Sequence, residues 1–150
     1  MLKALWQPEF PTALTINEKV PLHIRHSSAL EPSVNIFPPN TPFTWSMTLE
    51  LDGLFVPFVA LAADLTFTAQ ADMLVGGGPT VYPCGAKTIP AGSVTPTTPT
   101  KGFFKVEGLC PGIPEVGTYM MTVALTTKLG SAPTFIAGFD QILIQVADGV

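Results

Sequence analysis

The residues in this chain able to do more than pack are two cysteines, two histidines and a few carboxylates. Cys84 and Cys110 lie in Gly/Pro contexts, YPCG and LCPG, which read as turns. A bond between them would close a loop of about 27 residues, worth roughly 3.5 kcal/mol on the chain-entropy account. The spacing is equally compatible with two free thiols in a reducing compartment. His23 and His26 are three apart, so on a strand their side chains point to opposite faces and do not act jointly. Completing a metal site around the cysteines would need these histidines, and no metal or other cofactor is expected. Glu50 and Asp52 share a face by period-two spacing, as paired carboxylates of a glycosidase must. They also end a strand on its wet side, where acids are ordinary. Gly76, Gly77 and Gly78 lack the Lys-Ser/Thr that follows in a phosphate-binding loop. No G-x-S-x-G elbow is present. These residues assign no catalytic role, and the chain is expected not to be an enzyme.

The elements that must position these residues are strands. In 42–51 the odd positions are Phe43, Trp45, Met47, Leu49 and Leu51, and the even ones between them are Thr44, Ser46, Thr48 and Glu50. That alternation predicts a strand with one apolar and one wet face. Similar patterns cover Val20, Leu22 and Ile24; Leu65, Phe67, Ala69 and Ala71; Phe104 and Val106; Tyr119, Met121, Val123 and Leu125; and Ile142, Ile144 and Val146. A short helical turn is expected after Pro57, within 54–65. Residues 1–19 read as an extended arm or first strand with apolar anchors Leu5, Trp6, Phe10 and Leu14. Residues 20–150 then form one domain. Within it, 75–101 is rich in Gly, Pro and Thr and carries Lys87 as its only charge before Lys101. It is expected to be a long, partly ordered loop, with a short extra strand near Thr80 to Tyr82. Short strands punctuated by Pro and Gly make an all-β sandwich or barrel.

The stretch VGTYMMTVALTTKLGSAPTFIAGFDQILIQVADG, residues 116–149, leads from Gly-Thr-Tyr into a long alternating strand, a loop and a terminal alternating strand. It resembles the closing hairpin of bacterial immunoglobulin-like domains. The resemblance implies an antiparallel immunoglobulin-like β-sandwich and no particular chemistry. The Cys–Trp–Cys spacing of antibody domains is missing, since Trp45 precedes both cysteines.

Composition narrows the partners. Charged residues are 12% of the 150, about half the ~25% usual for soluble domains. Seven scattered basic residues and a net charge of −4 exclude a nucleic-acid footprint. The longest apolar run, 53–63, contains Pro57 and is too short for a membrane span of about 20 residues. The start, MLKALWQPEFP, has no signal-peptide core before Pro8. Export, if it occurs, is expected to use another route; the sequence assigns no compartment, and an extracellular assembly or virion-like particle is favoured over the cytoplasm.

The shortage of charge predicts a surface covered by other subunits. The expected function is that of a structural or assembly protein, a homo-oligomeric subunit of a filament, sheath, shell or phage-like particle. Leu5, Trp6, Phe10, Leu14 and Tyr82 are the expected assembly contacts. The alternative is a secreted ligand-binding or adhesion module for carbohydrate or protein, with 75–101 as its binding surface. Trp6 and Tyr82 are the stacking groups that alternation leaves outside the core.

Overall fold

The computed structural model describes residues 5–7, 15–26, 35–53, 56–57, 64–75, 80–90, 92, 95–98, 101–128 and 137–148. The strands, in chain order, are β1 (Leu5–Gln7), β2 (Thr15–His26), β3 (Ile36–Phe37), β4 (Phe43–Asp52), β5 (Asp64–Val75), β6 (Val81–Ile89), β7 (Thr95–Thr98), β8 (Lys101–Cys110), β9 (Gly117–Lys128) and β10 (Ala137–Val146). One sheet has the order β1-β10-β9-β5-β6, with β3 also on β10; the other runs β2-β4-β8-β7. Every pairing is antiparallel except the short one of β3 with β10.

This is the sandwich that the alternating strands predict. Its order is of the immunoglobulin type: β2-β4-β8-β7 take the places of strands A, B, E and D, and β5, β9 and β10 those of C, F and G. β6 is the extra strand beside C. Another mark of that architecture is at the start of β9, where the Tyr119 hydroxyl donates to the Glu115 carbonyl at 2.6 Å, forming a tyrosine corner.

Period two determines which residues meet between the sheets. Trp45, Met47, Leu49, Leu65, Phe67, Tyr119, Met121, Val123 and Ile144 are all buried, and Ile142 is half-buried against them. β4 is central in its sheet, between β2 and β8. For that reason its nominally wet face is only partly wet: Ser46 and Glu50 are buried. Glu50 pairs with Lys19 at 3.7 Å.

Three sequence expectations are modified. Val20 was expected to point inward with Leu22 and Ile24, but it is 41% exposed. The ladder of β2 with β4 slips on both sides of Val20, and a slip in register turns a side chain to the other face. The segment 75–101 is less loop than its composition implies, since it holds β6 and β7. Its Pro83 is tolerated because β6 is the last strand of its sheet. β2 begins at Thr15, inside the stretch expected to be an arm or first strand, and Leu5–Gln7 add β1 to the edge of β10. Val56 and Pro57 have helical backbone, with Val56 N–H donating to the Gly53 carbonyl at 3.3 Å. The rest of 54–63 lies outside the described residues.

Candidate functional site

The two sheets are tied along both lateral seams. On one seam the carboxylate of Asp140 in β10 accepts from the Leu22 N–H of β2 at 3.1 Å and from its neighbour Gln141 N–H at 2.8 Å. Leu22 lies in the stretch where the β2 ladder is irregular, so a buried side chain takes the place of a ladder acceptor.

The other seam joins β6 to β8 and contains the cysteines. Opposite Ala69, β6 carries both Cys84 and Gly85, a bulge in which Gly85 has φ +94°. A Cβ on Gly85 would lie 2.4 Å from the Leu109 carbonyl oxygen, so only glycine lets the two backbones come this close. The bulge turns Cys84 inward, where its carbonyl accepts from Trp45 Nε1 at 2.9 Å. Cys110 Sγ is 2.8 Å from Cys84 Sγ, and both residues are buried. Their mutual hydrogen bond, and then burial, push the Cys84 thiol up; the same hydrogen bond holds Cys110 down. The expected turn settings are therefore replaced by strand positions, and residues 26 apart become neighbours.

The remaining candidates do not converge on a reaction centre. His23 is half-buried on β2, its Nδ1–H donating to the Pro21 carbonyl at 3.0 Å. The backbone of His26 pairs with Phe43. Glu50 is engaged by Lys19. Among the described residues no group of three or more His, Cys, Asp and Glu is placed to hold a metal. Gly76, Gly77 and Gly78 lie outside the described residues, as do Phe10 and Leu14. Leu5 and Trp6 are paired through their backbones with Phe139 and Gly138 of the same chain. Tyr82 is half-buried, edge-on to Tyr119 with ring centroids 5.9 Å apart, and donates to Glu115 Oε2 at 2.8 Å. That hydrogen bond raises the Tyr82 pKa.

The outer faces of the two sheets differ in charge over their middle rows, although β2 and β8 also expose Val20, Phe103 and Leu109, and Asp64 and Lys128 pair at one end of the other sheet. On β2-β4-β8 the ion pairs Lys19–Glu50 and Lys105–Glu107 accompany Asp52 and Lys101. On β10-β9-β5-β6, three successive cross-strand rows read Phe139–Ala124–Thr68–Ala86, Gln141–Thr122–Gln70–Pro83 and Leu143–Met120–Asp72–Val81. Asp72 is the one charge in those rows. Leu143 and Val81 stand exposed there, Val81 at 57%, and Gln141 Nε2 donates to Thr122 Oγ1 at 3.1 Å. Sequence reasoning found the low charge but not this concentration on one face. The alternating Thr, Gln and Ala positions carried the signal, but only strand order sets them side by side.

No protein-family model matches the chain, and no curated protein matches it significantly. Among solved structures, it is similar to the crystal structure of the C-terminal domain of wzt, at 11% identity and a TM-score of 0.52. That alignment covers 99% of this chain and 80% of the other. The likeness is one of fold: an all-β sandwich domain. The structural-genomics target SoR45 aligns over 92% of this chain and 89% of its own at 14% identity, with a TM-score of 0.36, too low to bear on the fold. Among the described residues no helix is long and apolar enough to cross a membrane.

Proposed function

We propose that the protein is a non-enzymatic, immunoglobulin-like assembly subunit that associates with copies of itself through the outer face of β10-β9-β5-β6. The observation supporting this reading is the near absence of charge in the three rows around Thr122, beside a second sheet whose outer face is charged. Solvated sheet faces normally carry Lys and Glu, and covered ones do not. Burying Leu143, Met120 and Val81 against a partner leaves only Asp72 to be desolvated or paired. The test is light scattering at micromolar concentration. The wild type is expected as a multiple of one chain's mass, and Thr122→Lys is expected to return it to a single chain with unchanged circular dichroism. A wild type that stays a single chain at every concentration overturns the reading.

A second reading, a carbohydrate-binding module, has one observation in its favour. Gln141, Thr122 and Gln70 form a row of neutral amides and a hydroxyl across three strands, groups suited to sugar hydroxyls. A monomeric wild type that binds glycans on an array, and loses that binding in Gln141→Ala, would favour this reading over assembly.

A further inference from the structure

We propose that Cys84 and Cys110 are a redox pair that closes into a disulfide between the two sheets when the chain meets a small-molecule disulfide, and that local opening of β6 gates the reaction. The geometry is assembled by neighbouring residues of the same seam. Gly85 lets β6 bulge against the Leu109 carbonyl, the residue just before Cys110. Trp45 holds the carbonyl of Cys84 itself. The two sulfurs, already in contact at 2.8 Å, need approach by less than about 1 Å to reach bonding distance. Among the described residues there is no third ligand to make the pair a metal site. The position differs from the B–F bridge of antibody domains, because here the extra strand beside C is joined to strand E.

The chemistry is thiol–disulfide exchange. Cys110, the sulfur whose proton is held less tightly, attacks one sulfur of the oxidant as a thiolate. The oxidant's S–S bond breaks, one thiolate leaves, and a mixed disulfide remains on Cys110. Cys84 then loses its proton and attacks the Cys110 sulfur, expelling the second thiolate. In total the protein gives up two protons and two electrons, and the oxidant becomes two thiols. Neither cysteine is exposed, so an oxidant cannot reach the pair in the closed fold. β6 is paired on one side only, with β5, and a strand so placed opens more readily than an interior one.

The experiment uses the full chain and oxidised glutathione. Reduced, denatured protein is refolded in a glutathione buffer, alkylated under denaturing conditions and weighed intact. The expected product is lighter by two hydrogens, takes up no alkyl group and melts roughly 10 °C above the reduced form. Two alkylated thiols, or glutathione retained on either cysteine, overturns the pair. The same buffer is then applied to native reduced protein, whose oxidation is expected to be slow and to accelerate in urea below the unfolding midpoint. Oxidation as fast as that of an exposed thiol overturns the gate. In Cys84→Ser, refolded in the same way, Cys110 is expected to retain one glutathione; an unmodified Cys110 argues against its role as the attacking sulfur.

Discussion

Trp45 is held at one end by the Cys84 carbonyl and along its ring by Gly108, its cross-strand partner on β8. A Cβ at residue 108 would fall 2.0 Å from the indole, so the glycine is the space into which the ring fits. Gly108→Ala must displace the largest side chain of the core, and it is expected to cost about 2–3 kcal/mol by urea denaturation. An unchanged midpoint would show that the ring has another place to go. Tyr119 makes a second residue-scale prediction. Burial, then the nearby Tyr82 and Glu115, push its pKa up to about 12. An unfolded tyrosine ionises near pH 10. Between those values the unfolded chain binds fewer protons than the folded one, so stability falls as pH rises through that window. Below pH 10 the contribution is fully present. With only two tyrosines in the chain, Tyr82→Phe isolates Tyr119. With the Tyr82 contribution removed, burial and Glu115 still raise the Tyr119 pKa, so its phenolate absorbance is expected to appear above pH 10, together with loss of the fold; a reversible transition near pH 10 in folded protein would contradict this.

At the scale of elements, the sandwich is organised by two irregular strands at opposite seams. β2 slips twice against β4, and Asp140 reaches across from β10 to satisfy the Leu22 N–H. Asp140→Ala leaves that buried donor without its partner and is expected to cost about 1–3 kcal/mol. Asp140→Asn keeps a side-chain acceptor and should recover part of the loss. Denaturation curves of the two variants check both statements, and equal effects would mean that charge, rather than hydrogen bonding, is what the seam uses. The bulge of β6 has the matching role on the other side. It spends one ladder position to aim Cys84 and its carbonyl into the core.

For the whole molecule, the decisive property is that charge is sparse across the three middle rows on the outer face of β10-β9-β5-β6, where Asp72 is the one charge. Self-association through β10-β9-β5-β6 would be driven by apolar and neutral polar surface, which salt does not screen. The assembly is therefore expected to persist, or to strengthen, from low salt to molar sodium sulfate, with particle mass followed by light scattering. Dissociation on adding salt would instead point to the charged face of β2-β4-β8.

The sequence by itself determined the strands and their faces where alternation is regular, as in β4, β5 and β9. Period-two burial is a local property that a single segment displays without its neighbours. It also carried two parts of the candidate sites: the presence of two cysteines and the scarcity of charge. Tertiary structure decided everything that depends on pairing. Glu50 reads as wet along its own strand but is buried because β4 has a neighbour on each side. Val20 has the parity of the core but lies outside because of slips in a ladder whose other half is β4. Beyond the short strand expected near Thr80 to Tyr82, residues 83–89 look like loop because Pro83 and Gly85 break local pattern, yet hydrogen bonds from β5 make them a strand. Cys84 meets Cys110, and Thr122 meets Gln141 and Gln70, only because strands distant in sequence become neighbours or face one another. Those contacts arise from strand order and inter-sheet packing, which no local window of the chain contains.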